Sequence, residues 1–384
     1  MTNTRVAIVG IGTTGFSATS GDMSYREMTY EAATRAYLDA GVTPQDVGAF
    51  VCTAEDLNEG YSIADEYSPD QLGAVLKPVH TVPGDFLQSL GNACMIIRSG
   101  FADVVVVQGL SKASNMLTKG EMVTFATDPF SWRPLEESHH ALAGMEMNRF
   151  LHTSGNTREQ CARVVVKNRR NALTNSHAAH GASLQLDDVL AAPDIALPLG
   201  ELDIAQHADG AVVCVLASEE RARSLAGVPV WVRGIGWATD TNTVTNRDWS
   251  DAVYMRLAAE QAYKVAGIKT PSKEINFAEL NDEYSYKELQ HIEALGLCPR
   301  GSAGALTENG WSESTGDFPV NVSGGSLGCG HLFELDGGQK TLDCMLQLRG
   351  IAGRNQLSGV HTALAASWRG MPTCTGAVAV FSDE

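Results

Sequence analysis

Arg5-Val-Ala-Ile-Val-Gly-Ile-Gly12 returns in outline as Val230-Trp-Val-Arg-Gly-Ile-Gly236, about 225 residues further along the chain. Both are apolar runs closed by glycines, which read as buried strands. The helical stretches that follow match too: Ala32 with Ala258, Ala33 with Ala259, Ala36 with Ala262, Tyr37 with Tyr263, Ala40 with Ala266 and Gly41 with Gly267. In each copy an Ala-Gly pair ends the helix, where glycine suits a left-handed cap. A turn containing Pro44 or Pro271 and then a strand come next. A repeat on this scale implies two related βαβ-type halves in an α/β chain. The expected division is 1–220 and 221–384, with room in the first half for an insertion at about 112–205.

Outward from the repeat, apolar runs at Ala49–Cys52, Val104–Val107, Ala211–Leu216, Ile275–Leu280, Thr362–Ala366 and Ala377–Phe381 read as further buried strands. Helical periodicity runs through Tyr30–Asp39, Leu87–Arg98, Arg158–Ala172, Ala252–Val265 and Gly338–Leu348. Gly10-Ile-Gly-Thr-Thr-Gly15 has the spacing of a dinucleotide-binding turn, in which the third glycine opens a helix. Here loop-like Phe16-Ser-Ala-Thr-Ser-Gly-Asp22 follows, and the second copy keeps Gly234 and Gly236 with no third glycine. The glycines are therefore read as a shared strand ending.

The formal net charge of −17 argues against nucleic acid and anionic membrane surfaces, whose phosphates call for Lys and Arg. The N-terminal MTNTRVAIVGIG has no secretory pattern, and no apolar run approaches the length of a membrane span. Eight cysteines (52, 94, 161, 214, 298, 329, 344 and 374) are scattered without a CxxC pair, which suits neither a zinc site nor a disulfide framework. A soluble, cytoplasmic chain with no bound metal is expected.

Several segments then occur in a telling order. They are Ala102-Asp-Val-Val-Val-Val-Gln-Gly109 with Ser111-Lys112, Arg149-Phe-Leu-His-Thr-Ser-Gly155, Val166-Lys-Asn-Arg-Arg-Asn-Ala172, Asp209-Gly210, and Gln347-Leu-Arg-Gly350 with Asn355-Gln356. Together with the repeat, this order resembles the thiolase superfamily over nearly the whole chain, in its sterol-carrier-protein branch of acetyl-CoA acetyltransferases and lipid-transfer proteins. The resemblance implies a thiolase fold: two halves forming a five-layer αβαβα core, with a loop-domain insertion in the first. It also implies CoA thioester substrates, CoA as a cosubstrate with no permanently bound cofactor, and a homodimer. A small zinc-ribbon/OB-fold subunit completing a heterotetramer is a further implied partner. The family pairs through the strand after its nucleophile helix, which falls here on Asp103–Gln108.

Three blocks of the family's chemistry have counterparts. Glu279-Leu-Asn-Asp-Glu-Tyr284 resembles its Asn-Glu-Ala-Phe block, placing Asn281 where a water on the thioester oxyanion is anchored and Asp282 on an acid. The bland reading of Asn281 is a cap on a helix starting near Ser285. Gly324-Gly-Ser-Leu-Gly-Cys-Gly-His331 resembles the glycine-rich block ending in the catalytic histidine, so His331 is the expected donor to the thioester carbonyl. Met371-Pro-Thr-Cys-Thr-Gly376 resembles the Cys-x-Gly block, making Cys374 the acid/base at the α-carbon. The fourth block departs. Counting back from Gly100 to the family's nucleophilic cysteine lands on Pro83, while Cys94 lies inside the helix. Asp85 near the helix start is a cap, or a second catalytic candidate. Lys167, Arg169 and Arg170, with Gly324 and Gly325, are candidates for holding CoA.

The expected activity is thiolase-type cleavage or formation of a carbon–carbon bond in a β-ketoacyl-CoA, possible acyl groups including bulky ones such as benzoylsuccinyl. With no acyl-cysteine, free CoA would attack the β-keto group directly. The alternatives are retro-aldol cleavage of a β-hydroxyacyl-CoA and a non-catalytic CoA-binding subunit. Steroid side-chain aldolases of this branch also lack the nucleophile, but lack the Cys-x-Gly cysteine as well.

Overall fold

The computed structural model describes residues 4–55, 63–116, 119–125, 127–135, 138–225, 227–241, 243–370 and 374–384. The strands are β1 (Val6–Ser17), β2 (Ala49–Thr53), β3 (Val79–Val82), β4 (Val104–Lys112), a short hairpin of β5 (Asp194–Ala196) and β6 (Leu199–Gly200), β7 (Asp209–Ser218), β8 (Val230–Thr239), β9 (Phe277–Leu280), β10 (Thr362–Arg369) and β11 (Thr375–Ser382). The main helices are α1 (Tyr25–Ala40), α2 (Phe86–Arg98), α3 (His139–Ser154), α4 (Arg158–Ala172), α5 (Val253–Ala266), α6 (Ser285–Ala294), α7 (Gly325–Cys329) and α8 (Asp336–Leu348).

Among the described residues, nine strands form one mixed sheet in the order β3-β2-β4-β7-β1-β8-β11-β10-β9. Its centre is the antiparallel contact of β1 with β8, Ala7 opposite Trp231 and Ile8 opposite Val230. Outward from there the two sides repeat each other. β1 and β8 each pair antiparallel with the last strand of their half, β7 or β11, which pairs antiparallel with β4 or β10. That strand in turn pairs in parallel with β2 or β9. On the first side β3 adds a further parallel strand, and on the second Val320 makes a single parallel bridge to Ala278 in the same place.

The glycines that end the repeated strands have a packing reason. A Cβ on Gly12 would lie 2.1 Å from the carbonyl oxygen of Ala32, and one on Gly10 would lie 2.3 Å from that of Ala36. In the second half the corresponding distances are 2.4 Å from Gly236 to Ala258 and 2.1 Å from Gly234 to Ala262. Glycine on the strand and alanine on the helix let α1 and α5 lie directly on the sheet. Gly10, Gly12 and Gly15 all fall within β1, which runs on to Ser17, and no helix opens at the third glycine.

Side-chain alternation along the strands separates three apolar layers. Val104, Val106 and Leu110 of β4 face α1, whereas Val105 and Val107 face α2 and α8. On the second side Ala363 and Ala365 of β10 face the same two helices, whereas Leu364 and Ala366 face the layer that holds α5 and α6. The order is therefore α1, half-sheet, α2 with α8, half-sheet, α5 with α6. The insertion helices α3 and α4 bury Met147, Phe150, Val164 and Val165 in the layer of the second half, although they lie in the first half by sequence. The buried ion pair of Lys112 and Asp209, 3.0 Å apart, closes the neck from which the insertion leaves.

One expectation is corrected here. The valine-rich strand β4 is fully buried between β2 and β7, so it cannot serve as a free pairing edge. The edge on that side is β3, the strand before α2, whose half-buried Val-His-Thr-Val lacks the continuous apolar run that marks a strand in the sequence.

Candidate functional site

At the C-terminal end of β9 the chain turns through Asn281-Asp282-Glu283-Tyr284 into α6. Asn281 is fully buried, donates from Nδ2 to Asp336 Oδ2 at 2.8 Å and accepts from the Glu283 N–H at 3.1 Å. It therefore does not cap α6, whose N-cap is Tyr284. Asp282 is committed as well. It accepts from the Ser326 N–H, from Leu327 N at 3.3 Å and from Asn168 Nδ2 at 2.7 Å. Burial pushes its carboxyl up to about 6.

The glycine-rich block makes the short helix α7 and delivers His331. Gly324 and Gly325 have φ of 114° and 60°, and a Cβ on them would run into Ala172 of α4 and the Asp282 carboxylate respectively. Only glycine lets this turn sit so close to both. His331 is held by its backbone, its N–H donating to Gln206 O and its carbonyl accepting from Ala208 N. Its ring lies 5.2 Å from His207 and 4.8 Å from Phe333, and Nδ1 is 3.9 Å from Glu283 Oε2. Burial raises the Glu283 carboxyl, and the neighbouring His331 opposes that rise.

Cys374, immediately before β11, is a backbone outlier, with φ 44° at a residue that is not glycine. Its N–H donates to Gly370 O at 3.3 Å, its carbonyl accepts from Asp240 N at 3.1 Å, and its Sγ accepts from Arg247 Nη1 at 2.9 Å. The residue is fully buried, and burial followed by Glu146 pushes the thiol up to about 11. Residues 371–373 of this block lie outside the described residues. A Cβ on Gly370 would lie 3.0 Å from Glu283 Oε2, so Glu283 stands between His331 and the Cys374 turn. Tyr284 follows it and meets His140 Nδ1 of α3 at 3.2 Å.

Asp85 is the N-cap of α2, and the place counted to Pro83 is the turn before it. One carboxylate oxygen accepts from Leu87 N at 2.8 Å and from the Ser367 hydroxyl, and the other accepts from Gly337 N of α8 at 3.0 Å. Asp85 thus closes the N-termini of both central helices, while burial pushes it up to about 7. Cys94 is buried inside α2 with its thiol raised to about 11 by burial.

The basic cluster does not form one surface. Lys167 is buried against Glu288 at 2.7 Å and Val320 O at 2.8 Å, and Arg169 turns inward to His180 O at 2.9 Å. Arg170 alone is exposed, paired with Glu313 at 2.5 Å. The even spread of basic residues along α4 carried no signal for which side chains face inward. Glu283 and Tyr284 lie within a block already singled out, yet a glutamate beside an aspartate is too common to be picked by type. His140 reaches the site from a helix that precedes the Glu279 block by more than 130 residues and Arg247 from an unpatterned loop, and no local signal marks either.

Residues 236–383 match the family described as "Thiolase C-terminal domain-like". Over 98% of its length the chain is 29% identical to an acetyl-CoA acetyltransferase of Methanothermobacter thermautotrophicus, covering 99% of that protein. It is 31% identical, over 97% of its length and 98% of the relative's, to the 17-hydroxy-3-oxo-4-pregnene-20-carboxyl-CoA lyase of Mycobacterium tuberculosis. Among solved structures, the Ltp2-ChsH2(DUF35) aldolase superposes with a TM-score of 0.85 at 28% identity, covering 99% of this chain and 98% of that one.

Proposed function

The chain belongs to the thiolase superfamily, in its sterol-carrier-protein branch, and on that premise we propose that it cleaves a β-hydroxyacyl-CoA by a retro-aldol step with no acyl-enzyme. One observation carries this reading: the start of α2 holds no cysteine, the family's acyl-accepting place being counted to Pro83, and the helix is closed two residues later by the engaged carboxylate of Asp85. A carboxylate capping two helices has both oxygens engaged and cannot replace a thiolate as acyl carrier. Retro-aldol cleavage needs none. It needs a base for the β-hydroxyl and a proton for the α-carbon.

His331 takes the β-hydroxyl proton, and Glu283 beside it stabilises the imidazolium that results. The Cα–Cβ bond then breaks, leaving a carbonyl on the β fragment and an enolate on the CoA thioester. Cys374, which burial keeps protonated at neutral pH, delivers a proton to the α-carbon. Asn281 stays bound to Asp336 at 2.8 Å and accepts from the Glu283 N–H, which fixes the turn that carries Glu283. The lyase and aldolase relatives support the retro-aldol reading, whereas thiolysis is the first expectation from the sequence. Thiolysis by free CoA is supported by the cysteine at position 374 and by the acetyl-CoA acetyltransferase relative.

Further parts of the reading are proposals as well. CoA phosphates are met by surface groups other than Lys167 and Arg169, Arg170 being the exposed candidate. A second copy pairs along β3, and a small second subunit joins the complex, as the ChsH2(DUF35) chain does in the similar aldolase.

The test uses synthetic β-hydroxyacyl-CoA and β-ketoacyl-CoA of the same carbon chain, the latter with added CoA. Release of an aldehyde or ketone with the shortened acyl-CoA from the first is expected, together with an intact protein mass free of adduct. Turnover of the ketoacyl-CoA alone, or an acyl adduct on any cysteine, would overturn the retro-aldol reading.

A further inference from the structure

The Cys374 sulfur is not simply buried among apolar groups. Arg247 points Nη1 at Sγ from 2.9 Å and anchors its other amine, Nη2, on Thr241 O at 2.7 Å. Lys287 is fully buried nearby. It lies 2.7 Å from Glu146 Oε2 and 2.9 Å from the Tyr254 hydroxyl, with its ammonium 4.1 Å from the centre of the Trp368 ring. The charged groups acting on the thiol are thus Arg247, Lys287 and Glu146, and the phenols of Tyr254 and Tyr284 also face it. Asp240, whose N–H holds the Cys374 carbonyl, turns its own carboxylate to Thr241 N at 2.7 Å. Arg247 and Lys287 share this nest with the carboxylates of Glu146, Asp240 and Glu283, and of the two cations it is Arg247 that donates directly to the sulfur.

A guanidinium donating to a sulfur gains most when that sulfur is ionised. The left-handed backbone at Cys374 is a strained arrangement, of the kind that persists where surrounding contacts over-determine it. We propose that Arg247 is a positioning residue for the reaction: it aims the Cys374 thiol and holds the thiolate that remains after the proton has gone to the substrate carbon. This rests on the role given to Cys374 above. In that step the S–H bond breaks, a C–H bond forms at the α-carbon of the enolate, and the electron pair stays on sulfur beside Arg247. The proton gained by His331 from the β-hydroxyl restores the thiol once products leave, so nothing is oxidised or reduced.

The test reads the sulfur directly, without substrate. Methyl methanethiosulfonate labelling is followed at Cys374 by peptide mass spectrometry between about pH 7 and pH 10, with half-exposed Cys298 as the internal control. Arg247→Met should slow Cys374 labelling about tenfold at a given pH, equivalent to roughly one pK unit of lost thiolate stabilisation, and Arg247→Lys should recover most of the rate. A merely structural arginine gives the opposite sign, because a loosened turn exposes the thiol and speeds labelling. Labelling of Arg247→Met at the wild-type rate or faster overturns the proposal, as does a wild-type Cys374 that never reacts up to the highest pH. If Arg247→Met fails to fold, Arg247→Gln carries the same expectation. Turnover of Cys374→Ala separates the two readings. Normal turnover there with slowed labelling in Arg247→Met would remove the role of Cys374 in catalysis and leave the Arg247–Cys374 pair standing.

Discussion

Single residues at this site are set by what their neighbours already hold. Asn281 matches the family's block by type and place, but its amide is taken by Asp336 and its oxygen by the Glu283 N–H. His331 keeps its ring free of a tight partner, with Glu283 at 3.9 Å and a small exposed area. These two differ in what substitution should do. His331→Ala is expected to cut turnover by roughly 100- to 1,000-fold, the usual loss for one preorganised polar group, while the melting temperature stays near wild type. Asn281→Ala strands a buried Asp336 oxygen and should lower stability by about 1–3 kcal/mol as well as activity. Parallel kinetics and thermal melts check the contrast, and a His331→Ala enzyme with near-normal turnover would remove His331 from the mechanism.

At the scale of elements, the same device appears twice. Gly10 and Gly12 admit α1, and Gly234 and Gly236 admit α5, each through contacts in which a methyl group would meet a helix backbone oxygen. Backbone cannot swing aside as a side chain can, so Gly12→Ala and Gly236→Ala should each destabilise by at least the 1–3 kcal/mol typical of overpacking. Gly100→Ala, where a Cβ meets nothing within 4 Å but φ is +76°, should cost only the roughly 1–2 kcal/mol of left-handed backbone strain. Chemical denaturation of the three variants measures this order, and equal losses would show that strain, not packing, decides these positions. The repeat was readable because this packing demand falls on fixed residue types at fixed spacing. β3 was not, because an edge strand of mixed polarity carries no such demand.

For the whole molecule, the notable load is buried carboxylic acid. Burial raises Glu279 to about 8, Asp85 to about 7 and both Asp282 and Asp343 to about 6. A carboxyl whose folded value lies above its unfolded one binds more protons in the native state, so stability falls as pH rises toward the folded value. Buried His139 and His291 act the other way, their folded values lying below the ordinary one, and their effect is confined below about pH 6.5. Between about pH 6.5 and 8 the carboxyls therefore decide, Glu279 and Asp85 above all. The melting temperature should drop across that interval, and Glu279→Gln should flatten the drop. A melting temperature that rises from pH 6.5 to 8 would mean that these groups are ionised in the native state throughout.

The sequence by itself determined the two-half architecture, eight of the strands, the helices that follow them and the absence of a cysteine at the start of α2. Each of these rests on local pattern: alternation, helical period, a capping glycine, a residue type at a counted place. Tertiary structure alone decided which polar residues are available for chemistry. It turned Lys167 and Arg169 inward, engaged both oxygens of Asp85, seated the insertion on the second half and brought Glu283, His140 and Arg247 to His331 and Cys374. The physical reason is that hydrogen-bond partners and burial are properties of three-dimensional neighbours. An arginine in an unpatterned loop and a cysteine 127 residues later carry no mark of each other until the chain has folded.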